Sequence, residues 1–281
     1  MIDKISIWGY SLPRTWLVQA EVDYLTGLPQ ALPTVEWVWA EMDRVWHHYN
    51  LDNRHALTGQ PIGEFYSHPV WLMNGIFTAL DPVSASHRTA IARHLSKMGA
   101  KTVADYGGGF GELARVICRV APETDVSIIE PYPSHVGQEQ LNSEPRIRFV
   151  SDLATGGYDA IVAQDVLEHV EDPIRLASVI AGAVREGGQV IFANCFYPVI
   201  QCHLPSTFHL RHTFPWVMKA LGLHYLGRVD GAAHAQAFER RIGQLHFAKA
   251  RRAEAISRLI GPLFNQGRSL LSRSKGLMLR L

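Results

Sequence analysis

The apolar and polar positions of the chain fall into two textures that meet near Gly99. Between Thr34 and Asn50 the residues Val38, Met42, Val45, Trp46 and Tyr49 recur at steps of three and four, which predicts a helix with one buried face. Thr34 is placed to cap it, and Glu36 lies in its first turn. A loop with a proline is expected over Gly59 to Gly63, and a second helix from Val83 to Met98 is stopped by Gly99. Residues 1–98 therefore read as a mostly helical, aromatic-rich region.

Beyond Gly99 short apolar runs alternate with helical patterns. Strands are expected at Thr102–Tyr106, Val126–Glu130, Arg146–Val150, Tyr158–Gln164 and Gln189–Ala193. The helices between them are Gly111–Val120, Ser134–Leu141 and Pro173–Arg185, the last closed by Gly187 and Gly188. A helix after Thr213 and two strands, near Leu223–Val229 and His234–Arg240, complete the series. Apolar strands alternating with helices predict an α/β fold, with a mostly parallel sheet covered on both faces.

Composition narrows the class. With 281 residues, 47% hydrophobic and 19% charged, the chain can bury a real core and is not a disordered or collagen-like sequence. A net charge of +1 gives no general affinity for nucleic acid. Cys118, Cys195 and Cys202 match neither a zinc ribbon nor a CxxC redox pair, which points to a reducing compartment. The first residues lack a signal-peptide pattern and no apolar run reaches about 18 residues, so a cytoplasmic protein is expected. The near-neutral total hides an asymmetry, because Lys249 to Leu281 carries eight basic residues against the single acid Glu254.

The chemistry sits at Asp105-Tyr106-Gly107-Gly108-Gly109-Phe110-Gly111, which follows the first strand of the α/β region and opens a helix. Glycines let the backbone turn sharply and approach a ligand closely, and the helix that follows offers free N–H groups. A dinucleotide fingerprint begun at Gly107 needs glycine at position 112, where Glu112 stands, and this disfavours a nicotinamide-dependent oxidoreductase.

The pattern Asp-x-Gly-x-Gly-x-Gly resembles that of the class I S-adenosylmethionine-dependent methyltransferases, and the resemblance runs on in order. Glu130 ends the second strand, where the family's acidic residue accepts the ribose hydroxyls. Asp152 follows the third, like the family residue that accepts from the adenine amino group. Gln164-Asp165-Val166-Leu167-Glu168-His169 after the fourth strand resembles the D-x-L-E-H segment of small-molecule methyltransferases. The resemblance spans roughly residues 100–230 and implies a Rossmann-like fold with a seven-stranded sheet. It also implies S-adenosylmethionine as methyl donor, S-adenosylhomocysteine as product, and a cofactor site of Asp105, Gly107, Gly109, Gly111, Glu130, Asp152, Gln164 and Asp165. Asp105 is expected near the methionine ammonium, and Tyr66, Trp71, Tyr106 and Phe110 either face the sulfonium or simply pack.

Three regions follow: a helical lid for substrate recognition at 1–98, the cofactor-binding domain at 99–245, and a basic amphipathic tail at 246–281. A hydroxyl acceptor needs a general base, for which His169, His203 and His209 are the candidates, with His212 nearby. No metal is expected: Asp165 with Asn194 imitates only part of a magnesium set, and the spacing of His203, His209 and His212 is a weak zinc signal. The expected acceptor is a small molecule or glycan, a sugar hydroxyl first, with N- or C-methylation or a non-catalytic adaptor as alternatives. In the tail, Leu259, Ile260, Leu263, Phe264, Leu270, Leu271, Leu277, Met278 and Leu281 form an apolar stripe with most arginines off it, and Pro262 kinks the helix or begins a new one. Such a stripe suits an anionic membrane surface at the inner face of the membrane, the protein's own body, or a second protomer in a homodimer. No nucleic-acid module is present in it.

Overall fold

The structure, a computed structural model, describes residues 3–278, with side chains described as far as Leu263 and again at Asn265. The chain opens on a hairpin the apolar pattern does not announce, β1 (Lys4–Ile7) and β2 (Tyr10–Pro13). Its turn is Trp8-Gly9, both at positive φ, and a tryptophan in that conformation gives no turn signal. The helices α1 (Gln19–Thr26), α2 (Val35–His48), α3 (Gln60–Ser67) and α4 (Pro69–Leu80) follow. Thr34 caps α2 by accepting from the Trp37 N–H, as its sequence position predicts. The stretch expected as a loop at Gly59 to Gly63 instead begins α3, because Gly59 at φ +81° turns the chain and Pro61 stands in the first turn, where its missing N–H costs nothing. These elements share a core that includes Leu12, Val38, Trp46, Phe65, Met73 and Ile76.

The remaining elements are α5 (Pro82–Lys97), β3 (Thr102–Tyr106), α6 (Glu112–Val120), β4 (Asp125–Ile129), α7 (His135–Leu141), β5 (Ile147–Phe149), β6 (Tyr158–Gln164), α8 (Pro173–Ala183), β7 (Val184–Ala193), α9 (Phe214–Leu221), β8 (Leu223–Val229), β9 (Ala232–Arg240) and α10 (Phe247–Met278). Seven of the strands form one sheet in the order β5-β4-β3-β6-β7-β9-β8, parallel from β5 to β7 and antiparallel across β9 and β8. The two last strands expected from sequence are therefore present and form the antiparallel edge. Its central strands are buried on both faces, with Val103, Ala104, Ile161, Val162, Val190 and Ile191 all fully covered.

Three boundaries differ from expectation. Ile91, Ala92 and Leu95 of α5 join the core beneath β3, β6 and β9, so α5 packs with the sheet although it lies before residue 99. Gly187 and Gly188 do not close a helix; β7 starts at Val184, and the glycines form an irregularity between the pairs Tyr158–Val184 and Ala160–Gln189. A Cβ on Gly188 would meet the Asp159 carbonyl at 2.6 Å, which is why glycine stands there. Finally, α10 is one helix with Pro262 inside it, and its first turns pack on the body, with Ala250 and Ala253 in the main core. The stripe positions Phe264, Leu270, Leu271, Leu277, Met278 and Leu281 lie outside the described side chains. Among the described residues no helix is long and apolar enough to cross a membrane.

Candidate active site

Because β3 to β7 run parallel, the loops after them emerge at one edge of the sheet. The chain builds outward from β3 to β4 and β5, then crosses back to β6, so the connections diverge between β3 and β6. Ligands of open α/β sheets bind in the crevice such a switch point leaves. Here the loop after β3 touches the loop after β6: a Cβ on Gly107 would stand 2.5 Å from Val166 Cγ2.

The glycine loop is held from behind and open in front. Gly107, Gly109 and Gly111 all have positive φ, at +71°, +49° and +78°. Gly107 donates its N–H to the Ile129 carbonyl at 2.7 Å, and Gly111 closes a turn onto Gly108 at 2.8 Å. A Cβ on Gly111 would stand 2.5 Å from Leu141, whereas one on Gly109 would meet nothing within 4 Å. Gly109 thus marks the open face, and its N–H is already bonded to Glu130 Oε2 at 3.0 Å. The other Glu130 oxygen accepts from the Tyr132 N–H at 3.1 Å.

Asp105 lies under this loop at 2% exposure, with its Oδ2 buried and lacking a hydrogen-bond partner. Burial, with the Glu130 charge adding to it, lifts its carboxyl to about 7, against the pull of Arg88 on α5. The orphaned oxygen lies directly beneath the loop, where a Cβ on Gly108 would stand 2.7 Å from it, and a buried carboxyl without a partner favours a positive charge nearby.

The other expected cofactor residues share the same sheet edge. Asp152 is on an exposed bend after β5, its Oδ2 accepting from Ser151 Oγ at 2.8 Å. Gln164 ends β6 and donates from Nε2 to Asp165 Oδ2 at 3.4 Å. Asp165 takes φ +52°, unusual for a residue with a side chain, and is pinned by its N–H to the Ala193 carbonyl at 2.7 Å. Burial raises its carboxyl, and the Gln164 amide, His203 and His87 pull it back down.

Of the three histidines expected as bases, two come together. The rings of His169 and His203 meet edge to face with centroids 4.9 Å apart. His169 Nδ1 lies 3.1 Å from the Cys202 carbonyl and His203 Nδ1 lies 3.0 Å from the Tyr197 carbonyl. A carbonyl only accepts, so each Nδ1 carries the hydrogen and each Nε2 keeps its lone pair. Burial lowers both, His169 to about 3 with His203 adding repulsion, and both are neutral near pH 7.

His209 stands apart from this pair. It is buried on the far side of its 3-10 turn, with Nε2 3.9 Å from Glu254 Oε1 of α10, and burial lowers it to about 4. A six-residue step from His203 does not preserve direction in this irregular segment. His212 lies on the half-exposed stretch just after that turn.

Glu168, quoted in the sequence motif but given no role, is fully buried and organises the pair. Its Oε1 accepts from the Cys195 N–H at 2.6 Å, and its backbone carbonyl accepts from the Leu204 N–H at 2.9 Å. It ties the loop after β6 to the loop after β7, where His203 sits. Burial and the neighbouring Asp165 charge raise its carboxyl well above the ordinary range, and burial likewise pushes the Cys195 thiol up to about 12. The ligand atoms of Glu168, Cys195 and His203 lie within 4.8 Å of one another, and the second Glu168 carboxyl oxygen is buried without a hydrogen-bond partner.

The N-terminal elements cover this edge with aromatic rings, which motif reading alone did not assemble. Tyr66 stacks on Tyr132 with centroids 5.5 Å apart and on Trp71 at 5.2 Å, and Trp71 meets His169 edge-on at 6.4 Å. The column runs from the residues after Glu130 to the histidine pair. Phe110 instead packs in the N-terminal core against Tyr10 at 6.1 Å. Tyr106 is half-buried against the main core.

A glycine loop at the switch point, an acid at the end of the neighbouring strand and the order β5-β4-β3-β6-β7-β9-β8 define the class I methyltransferase fold. The sequence profile of the family described as a methyltransferase domain matches residues 84–239, more than half of the chain, and the chain belongs to that family, whose cofactor is S-adenosylmethionine. The matched span begins inside α5, in keeping with the packing of that helix on the sheet.

Among relatives, the ubiquinone biosynthesis O-methyltransferase of Erwinia tasmaniensis is 27% identical over 167 residues, which cover 57% of this chain and 63% of that one. That of Xanthomonas campestris pv. campestris is 30% identical over 126 residues, covering 41% and 50%. The match thus spans between half and somewhat under two thirds of the length of these relatives. An O-methyltransferase family protein from Burkholderia thailandensis shares the fold, with a TM-score of 0.50 at 18% identity over 81% of this chain and 77% of that one.

Proposed function

We propose that the chain methylates a hydroxyl oxygen of a small-molecule or glycan acceptor, a sugar hydroxyl in the first place, with S-adenosylmethionine as methyl donor. The observation that carries this reading is the pair of neutral imidazoles, His169 and His203, each with Nδ1 anchored on a carbonyl, beside the crevice that the glycine loop opens. Neutral imidazoles with free Nε2 lone pairs suit removal of a hydroxyl proton.

In this reading Asp105 meets the ammonium of the cofactor, Glu130 its ribose hydroxyls and Asp152 its adenine amino group. Gly107, Gly109 and Gly111 let the backbone approach, and Gln164 and Asp165 complete the edge. When bound, the cofactor supplies a methyl group on a positively charged sulfur and leaves as neutral S-adenosylhomocysteine. The chain's own work is to align the acceptor oxygen with that methyl carbon and to take its proton. His203, whose basicity the Asp165 charge supports, is the proposed base, and His169 holds the acceptor oxygen. Residues 1–98 serve as the lid in this reading, although α5 is shared with the domain beneath.

The test is transfer of a labelled methyl group to a panel of sugars, glycolipids and phenols. His203→Gln is expected to lower kcat by about a hundredfold or more, whereas His169→Gln mainly raises KM. Transfer that is undiminished in both variants would overturn the assignment.

A further inference from the structure

The helix α10 has two unlike faces, and the wrong one for an ordinary surface helix is buried. Ala250, Ala253, Ser257 and Gly261 press against the body. The approach is close: a Cβ on Gly261 would stand 2.5 Å from the His209 carbonyl oxygen, and Ser257 Oγ donates to that oxygen at 3.1 Å. The opposite face carries the large apolar chains, with Ile256 49%, Leu259 76% and Leu263 66% exposed. At about 100° per residue these three fall within an arc of roughly 60°, and the exposed Lys249 and Arg252 lie on the same side.

The charge on that face is of one sign. Glu254 is the only acid between Lys249 and Leu281. It is 3% exposed, and its carboxylate is taken by Arg251 at 2.6 Å and Arg258 at 2.9 Å. No negative charge from this segment therefore faces outward, while Lys249 and Arg252 do. A two-fold contact between copies through this face would set these bases against their own counterparts with no acid to meet them.

We propose that this face of α10 seats on an anionic phospholipid surface. Ile256, Leu259 and Leu263 enter the headgroup boundary, and Lys249 and Arg252 meet lipid phosphates. The proposal is independent of the acceptor reading, since it rests on no residue of the active site.

The test uses the full chain and vesicles of phosphatidylcholine with and without phosphatidylglycerol, read by co-sedimentation. Binding is expected only with phosphatidylglycerol, and it weakens as salt is added. Leu259→Glu with Leu263→Glu is expected to lower the partition coefficient at least about tenfold, and Arg252→Glu about fivefold or more. The thermal midpoint should stay unchanged, because these side chains are exposed. Equal binding to both vesicle types, no binding, or binding indifferent to the leucine substitutions would overturn the proposal. So would a dimer in light scattering that the leucine substitutions dissolve, since the face would then belong to a second copy.

Discussion

His169 and His203 stand edge to face with their centroids 4.9 Å apart, although one follows β6 and the other the long loop after β7. Glu168 holds those two loops together, its carboxyl accepting from the Cys195 amide and its backbone carbonyl from the Leu204 amide, while it touches neither ring's anchored nitrogen.

Burying neutral imidazoles links stability to pH. His169 titrates near 3 in the folded chain against an ordinary 6.5, so the unfolded chain binds a proton that the folded one refuses. Its contribution is full above about pH 6.5 and is lost as the pH falls toward 3, at about 1.4 kcal/mol per pH unit between these values. Asp105 and Glu168, whose pKa values are raised, act in the opposite sense, so the informative quantity is a difference between variants. Urea unfolding from pH 7 to 4 should show His169→Gln losing less stability than the parent by close to one proton's slope. Parallel curves would contradict the buried neutral state.

Asp105, titrating near 7, is mostly protonated at pH 6. A ligand ammonium at its orphaned oxygen favours the ionised form, so S-adenosylhomocysteine binding should release about 0.9 proton at pH 6 and little above pH 8. Calorimetric titration in buffers of different ionisation enthalpy reads this number. Asp105→Asn should abolish the release; if it persists unchanged, the ammonium is not held there.

The three glycines of the loop should separate in behaviour. In Gly111→Ala the new methyl meets Leu141 at 2.5 Å at a positive φ, and a loss of stability of about 2 kcal/mol or more is expected. Gly109→Ala has free space and only the φ cost, about 1 kcal/mol, yet its methyl would stand on the open face, where the proposed cofactor site lies. Thermal melts paired with S-adenosylhomocysteine titrations should show the first losing stability and the second losing affinity. The reverse pattern would place the ligand elsewhere.

Much of this was readable in the chain, for physical reasons that also mark where reading stops. β3, β4, β6 and the glycine loop have strong local signals, because a doubly buried strand must be apolar throughout and a phosphate- or cofactor-facing turn needs positive φ. The Trp8-Gly9 hairpin and the start of α3 at Gln60 escaped, since tertiary packing decides them against weak local preference. The approach of His209 to Glu254 on α10 was likewise unreadable, because the two lie far apart along the sequence. The same distance hid the aromatic column, in which Tyr66 and Trp71 of the N-terminal helices meet Tyr132 and His169. The closure of Glu168 onto Cys195 was likewise invisible without the sheet that brings the two loops together.

The most direct test of the cofactor site is calorimetric titration of the purified chain with S-adenosylhomocysteine, beside the Glu130→Ala variant. Binding on the order of micromolar is expected for the parent. Removing the carboxylate that now holds the Gly109 amide should weaken it by about tenfold to a hundredfold, the worth of a charged hydrogen bond, in a protein that still melts cooperatively. A folded chain that takes up no S-adenosylhomocysteine, or binds it equally well without Glu130, would contradict the account.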